Sequence, residues 1–276
     1  MAKFNDYIAH HLLFRFSPAL YRRFWKKKLG VSASLPGRSA RYTEKEIALL
    51  PLLLNKDSVF FDVGANMGLY LFWAETLGVT KAVGFEPIPF LHKKLQRIFP
   101  GYTLENMAVS SAAGEVVLRV PRINRKLVET RATLLGRDET SEFDECVEIH
   151  IPGITLDAYC RQKHIYPDFV KVDIEGAEER LLMGCTELFT GKRPVFMIEI
   201  EQRHNKNMDQ TLERITRYGY ACFHFSPRTF GMVPYLTHEG LQETRNEKTM
   251  AYVNNFIFIP EEKTDIIEKI KGVQIL

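Results

Sequence analysis

Val59-Phe-Phe-Asp62-Val-Gly64-Ala-Asn66-Met-Gly68 is the stretch on which the fold turns. Its first half is a short apolar run that predicts a buried strand over 59–63. Its second half is a turn with two glycines, and residues 69–77 follow at once as a predicted helix. In an open α/β sheet, ligands collect beyond the carboxyl ends of the strands, where strand order reverses. A turn in that place must let backbone approach a ligand, and Gly64 and Gly68 remove side chains that would block it. Asn66 stands where a dinucleotide fold carries its second glycine, and a side chain there obstructs a pyrophosphate.

Outward from this turn, apolar runs alternate with helical stretches. Strands are expected at 81–86, 102–109, 170–174 and 195–200, and helices at 89–99, 178–189 and 208–218. Strand-like pieces at 116–120 and 147–151 flank a polar insert over 122–145. Two last strands, 220–225 and 253–259, are suited to an antiparallel pair. Alternation of this kind predicts an α/β fold with a mostly parallel sheet and helices on both faces. The second strand ends in Gly84-Phe-Glu86-Pro87, with Glu86 twenty-four residues after Asp62. That is about the spacing at which an acid meets the ribose hydroxyls of a nucleoside lying across the first two strands. The third strand leads into Glu105-Asn106-Met107, whose backbone and Asn106 amide could reach an adenine edge. A cofactor with an amino-acid end in place of a pyrophosphate suits Asn66, and Asp62 is suited to hold its ammonium.

With 276 residues and 45% of them hydrophobic, the chain can bury one large domain plus a short extra segment. A net charge of +3 gives no global field toward nucleic acid. The four cysteines show no metal-ligand spacing, which suits reduced thiols in the cytoplasm. No apolar run reaches the roughly 18 residues of a spanning helix, and residues 1–30 lack the order of a signal peptide. Residues 1–42 differ from the rest and are read as a basic, aromatic helical extension; 43–276 form the main domain. Arg22, Arg23, Lys26, Lys27 and Lys28 crowd beside Phe24 and Trp25. This segment is either a helical cap packed on the domain or, through residues 1–30, a peripheral contact with the inner membrane face. Thr43 and Glu46 have the spacing of a capping box for a helix reaching Leu54.

Several runs resemble the FkbM family of methyltransferases. They are Asp-Val-Gly-Ala-Asn-x-Gly at 62–68, Phe-Glu-Pro at 85–87, Asn-x-Ala-Val-Ser at 106–110 and Ile-Thr-Leu-Asp at 154–157. The most specific is Val-Lys-Val-Asp-Ile-Glu-Gly-Ala-Glu at 170–178; Glu-Ile-Glu at 199–201 and Phe-Ile-Phe-Ile-Pro at 256–260 continue the likeness. The resemblance covers about residues 43–260. It implies a class I, Rossmann-like sheet of seven strands, S-adenosylmethionine as cofactor, and O-methylation of a sugar, glycan precursor or hydroxylated natural product. Position by position, it implies that Asp62, Gly64, Asn66, Gly68 and Glu86 form the cofactor site.

For such a transfer the protein mainly positions two reactants, and a base helps an alcohol to attack. Strand alternation puts Lys171, Asp173 and Glu175 on one face near a strand end, where buried charges are costly unless they are paired or face a cavity. Asp173 is the favoured base, with Glu175, Lys171 and Glu199 as further catalytic candidates. Glu199, Glu201 and His204 beside Asp173 could also make an oxygen-rich site for a magnesium-like ion, but the spacing fixes no ligand set, so no metal ligand is assigned. His204 and Arg131, the latter in the polar insert, are candidates for holding a small-molecule or glycan acceptor. Two other readings stay open: a nicotinamide-dependent oxidoreductase, against which Asn66 and the lack of a Tyr-x-x-x-Lys pair count, and a cofactor-binding module at a membrane surface without turnover.

Overall fold

The computed structural model describes residues 17–29, 31, 44–123, 126–127, 146–174, 176–203, 205, 208–226, 229, 231–236, 241–242 and 252–273. The apolar run at the start of the domain is strand β1 (Val59–Val63), buried over its last four residues because both of its faces are covered. It lies in parallel between β2 (Lys81–Phe85), which pairs onward with β3 (Thr103–Glu105), and β8 (Phe169–Val172), which pairs onward with β9 (Val195–Glu199). The chain thus builds outward on one side of β1, then crosses over and builds outward on the other. That reversal leaves a crevice at the tips of β1 and β8.

The expected antiparallel pair is present. Strand β12 (Asn255–Pro260) runs against β9, and β10 (Tyr220–Phe225) runs against β12. The sheet order is β11-β10-β12-β9-β8-β1-β2-β3. Seven of these strands make the class I arrangement, and the short β11 (Met232–Pro234) adds an eighth at one edge. A second sheet, in the order β4-β7-β5-β6, is dominated by the long antiparallel pair β5 (Gly114–Ile123) and β7 (Cys146–Ile154) around the polar insert. Its other members are β4 (Ala108–Val109) and β6 (Lys126–Leu127).

Helices cover the main sheet on both faces. On one face Phe60 and Phe169 pack with Leu71, Phe72 and Trp73 of α3 (Leu69–Thr76). On the other, Phe61, Val63, Val170 and Val172 pack with Tyr159 of α5 (Leu156–Lys163). The first face also receives the first described helix. Helix α1 (Pro18–Lys28) buries Tyr21 and Trp25 in that core, and its Arg22 donates to the Ile98 carbonyl at the end of α4 (Pro89–Ile98) at 3.2 Å. Among the described residues no helix is long and apolar enough to cross a membrane.

Three expected elements are divided, the first two at a specific contact. The third strand breaks at Asn106, whose amide donates to the Glu86 and Pro87 carbonyls at 2.9 Å each, so β3 stays in the main sheet and β4 joins the second. The helix expected over 178–189 is two, α6 (Glu178–Met183) and α7 (Thr186–Thr190). Gly184 between them lies so close to the Ser110 carbonyl that a Cβ would stand 2.7 Å from its oxygen. Asp157 then caps α7, accepting from the Glu187 and Leu188 amides at 2.8 and 3.0 Å, while Thr155 caps α5 by accepting from the Ala158 amide. The Ile-Thr-Leu-Asp run is therefore a pair of helix caps. Finally, the helix expected after Thr43 is a 3₁₀ turn over Lys45–Leu49 running into α2 (Leu50–Leu53). Its N-cap is Glu44, no side-chain cap bond is made, and Glu46 is buried. Thr43 lies outside the described residues.

Candidate active site

The turn after β1 is held by backbone. The amides of Gly64 and Ala65 both donate to the Phe85 carbonyl at the tip of β2, at 3.0 Å. Gly64, Asn66 and Gly68 all have positive φ, at 85°, 47° and 79°. The two glycines answer first to the protein itself. A Cβ at Gly64 would stand 1.8 Å from the Asp173 carbonyl oxygen, and one at Gly68 would stand 2.6 Å from the Phe99 ring and 2.9 Å from Leu95. Gly64 thus lets the tip of β8 close against the turn, a requirement that the spacing of the glycines alone did not reveal.

Glu86 is buried, and its two oxygens accept from two amides, Asn66 at 2.7 Å and Ile88 at 2.8 Å. It fixes the left-handed Asn66 and the entry to α4 at once. Burial pushes its carboxyl up to about 7, against the pull of those two amides. A carboxylate offers about four acceptor positions, so two lone pairs remain for hydroxyl donors. Asn106 is tied to the same segment through its NH₂ group, which leaves Oδ1 as the atom with which its side chain could meet an adenine amine.

On the other side of β1 the site is made of charges. Asp62 and Lys171 are cross-strand partners on β1 and β8, both buried. The Lys171 ammonium donates to Asn255 Oδ1 at 3.0 Å and the Val172 carbonyl at 3.3 Å, lies 5.2 Å from the centre of the Tyr70 ring, and is 3.9 Å from Glu199. Burial works against its charge, but Asp173, Glu199, Glu44 and Asp62 outweigh it, and its pKa is raised. Burial pushes Asp62 up to about 8, with Lys171 opposing and Asp173, Glu44 and Glu86 adding to the rise. Glu199 is likewise raised, by burial and then by Asp173, with Lys171 opposing. Its Oε1 accepts from the Asn254 amide. One lysine therefore sits among a surplus of carboxylates.

These groups surround a cavity of about 190 Å³ lined by Asp62, the turn from Gly64 to Met67, Leu69, Tyr70, Lys171 and Asp173, with Leu29 and Glu44 closing it from the N-terminal side. Of the expected site residues, the structure brings Asp62, Gly64, Asn66, Lys171 and Asp173 to this cavity. Gly68 closes the same turn, Glu86 braces it from β2, and Glu199 stands behind Lys171. Glu175, Arg131 and His204 lie outside the described residues. Glu201 is paired with Arg203, and among the described residues no three His, Cys, Asp or Glu side chains are grouped to hold a metal ion. Sequence reasoning missed Leu29, Glu44, Tyr70 and Asn255. For Asn255 a signal existed: it opens, directly after Asn254, a strand that is otherwise apolar. Tyr70, whose hydroxyl donates to Glu44, reads in sequence only as one more aromatic of an apolar helix.

A profile of the methyltransferase FkbM domain matches residues 62–222, from the aspartate of the turn to the middle of β10. A protein of Sordaria araneosa described as methyltransferase sdnD is 28% identical over 172 residues; the match spans 51% of this chain and 64%, under two thirds, of that protein. Among solved structures, methyltransferase FkbM from Methylobacillus flagellatus KT is similar at a TM-score of 0.45 and 14% identity, over 86% of this chain and 57% of that one. An O-methyltransferase from Bacillus cereus, in complex with SAH, is similar at 0.42 and 9%, over 93% and 96%. At these scores the solved structures add nothing to what the strand order already establishes. The profile spans more than half of the sequence and takes in the tip of β1, its turn, β8 and β9, and on that ground the chain belongs to the methyltransferase FkbM domain family.

Proposed function

We propose that this protein transfers a methyl group from S-adenosylmethionine to a hydroxyl of a sugar, a glycan precursor or another hydroxylated small molecule. The observation that carries the reading is the acidic lining of the cavity: Asp62, Asp173 and Glu44 share it with a single Lys171, with Glu199 behind the lysine, and a bound cation favours the ionised forms of these acids. A ligand bearing a sulfonium and an ammonium supplies the positive charge such a site lacks. A dinucleotide diphosphate brings the opposite charge to the same carboxylates and meets the Asn66 side chain in the turn. The nicotinamide reading is therefore disfavoured by charge as well as by shape.

In this reading Asp62 and the turn amides receive the amino-acid end, the free lone pairs of Glu86 accept from the ribose hydroxyls, and Asn106 Oδ1 accepts from the adenine amine. The cofactor supplies an electrophilic methyl carbon. Asp173, on the cavity wall at the tip of β8, takes the proton of the attacking hydroxyl. Lys171, held by Asn255 and Glu199, places a positive charge beside Asp173.

Calorimetry with S-adenosylmethionine against NAD tests the cofactor. A panel of hydroxylated acceptors, read by adenosylhomocysteine release with and without a chelator, tests the reaction. Binding of NAD alone would end the proposal, and loss of turnover in chelator would require a metal. Asp173→Asn is expected to keep cofactor affinity and to lower turnover by roughly 10²-fold or more; unchanged turnover would remove Asp173 as the base. Because Asp62 is pushed up to about 8, it is mostly protonated in the empty site at neutral pH, and a bound cation favours its ionised form. Cofactor affinity is therefore expected to fall as pH drops below that range, with proton release on binding.

A further inference from the structure

Helices α1 and α4 together carry eight of the chain's 37 Lys and Arg residues and not one Asp or Glu. The other 29 stand against 34 Asp and Glu, so the rest of the chain is net negative while this helix pair is strongly positive. The helices lie against each other and run in opposite directions. The Lys94 ammonium is 4.5 Å from the centre of a Trp25 ring, and Arg22 reaches the Ile98 carbonyl.

What each helix leaves outside follows one pattern. Helix α1 buries Tyr21 and Trp25 and exposes Leu20, Arg23 and Lys27. Helix α4 buries Leu91, Lys94, Leu95 and Ile98 and exposes Phe90, Lys93 and Arg97. In both, a large apolar residue is followed by cations three and seven positions on, which is one face of a helix. Leu20 is 53% exposed and Phe90 is 51% exposed. Met183 and Leu236 are exposed elsewhere on the chain, and Lys94 lies 5.4 Å from the centre of the Phe90 ring; what marks this face is that both of its exposed apolar residues head a row of cations, and a nucleic-acid backbone gives an aliphatic side chain no partner. An anionic bilayer uses both kinds of group, apolar residues at the boundary of the acyl chains and cations at the headgroups.

We propose that the α1–α4 pair docks this protein on an anionic membrane surface, with Leu20 and Phe90 entering the headgroup boundary and Arg23, Lys27 and Lys93 facing anionic headgroups. Leu29, the residue directly after α1, lines the cavity, so the docked face adjoins the wall of the active site. The face is distinct from the groups proposed to bind cofactor, so the two readings stand or fall separately.

The test is co-sedimentation of the full chain with phosphatidylcholine vesicles, with and without phosphatidylserine, at low and high salt. The protein is expected to partition onto the phosphatidylserine vesicles at low salt and to leave them at high salt. Arg23→Glu with Lys27→Glu, and separately Lys93→Glu, are expected to lower the partition coefficient, the first by roughly tenfold or more. Leu20→Ser with Phe90→Ser is expected to lower it by roughly tenfold. All five residues are exposed, and thermal melts unchanged from the parent serve as the control; glutamine replaces glutamate at any position where the melt shifts. Equal partition onto neutral vesicles, absence of partition onto anionic ones, or parental behaviour of the charge variants would overturn the proposal. So would tighter binding to an RNA oligonucleotide than to the anionic vesicles, which would assign the face to nucleic acid.

Discussion

On the β1–β2 side of the cleft the shape is set by backbone, and side chains serve to hold it. Glu86 occupies two amides, Asn106 occupies two carbonyls, and Gly64 and Ala65 share the Phe85 carbonyl. On the β8–β9 side the backbone is ordinary strand and the work is done by charge, with Lys171 balanced among Asp62, Asp173, Glu44 and Glu199. The first side is suited to recognising a fixed shape. The second is suited to changing its ionisation when a ligand arrives. Errors in the two should therefore fail differently: a defect of shape at every pH, a defect of charge in a pH-dependent way.

The largest effect is expected at the point where the two sides touch. Gly64→Ala puts a methyl group at φ 85° against the Asp173 carbonyl oxygen, 1.8 Å away and part of the backbone, so β1 and β8 must separate. Left-handed strain and overpacking together give a loss of about 4 kcal/mol or more, with cofactor binding abolished. Gly68→Ala meets only the Phe99 and Leu95 side chains, which can turn aside, and should lose clearly less. Denaturant melts at two pH values check both the order and its pH independence. Equal losses for the two glycines would mean that the closure of β8 on the turn is not the constraint described.

Lys171→Met comes next and should show the opposite signature. Removing one partner of a buried charge cluster typically destabilises by about 3–5 kcal/mol. Here the size should depend on pH. Asp62 has its pKa raised to about 8, so its contribution to stability is full in acid and is lost as pH climbs through that value. Without the ammonium, Asp62 and Glu199 resist ionisation further. The deficit against the parent should then stay level below about pH 7 and widen as pH rises past about 8, where Asp62 ionises in the parent alone, as thermal melts would show. A deficit of the same size at both ends would mean that Lys171 acts through the packing of its aliphatic stem, and the comparison between the two sides would break.

The contrast also explains what could be read from sequence. The β1 turn, Glu86 and the Lys171–Asp173 strand are local patterns: each is a strand end with a charged or glycine residue in a position that an ordinary buried strand does not tolerate. The order of strands followed from alternation, since a chain that builds outward, crosses over and builds outward again has few topologies open to it. What stayed hidden depends on distant partners. Asn255, which holds Lys171, stands 84 residues after it, and Glu44 reaches Tyr70 across 26. The breaks at Asn106 and Gly184 likewise come from side chains and backbone brought in from elsewhere in the fold. Periodicity carries no trace of such contacts. The same limit applies to Ile-Thr-Leu-Asp, a run that looks like a motif for chemistry and is used for two helix caps.

Glu86→Gln is the smallest effect and separates shape from charge within one residue. The carboxylate accepts from two amides, whereas a glutamine offers one acceptor oxygen and turns an NH₂ toward the other amide. Yet the ionised carboxylate is itself disfavoured by burial, since its pKa is raised from 4.5 to about 7. A raised carboxyl contributes its stability below its ordinary pKa and loses that contribution as pH rises through about 7. Glutamine has no such loss. The variant's stability should therefore improve relative to the parent as pH rises from about 5 to about 8. Its cofactor affinity should do the reverse. Hydrogen bonds from ribose hydroxyls to a charged acceptor contribute about 1.5–3 kcal/mol, so the variant should bind roughly tenfold or more weakly above pH 7 and approach the parent in acid, where Glu86 is protonated too. Calorimetric titrations and melts on the same samples decide the point. Stability and affinity moving together with pH would mean that Glu86 only braces the turn and takes no part in holding the nucleoside.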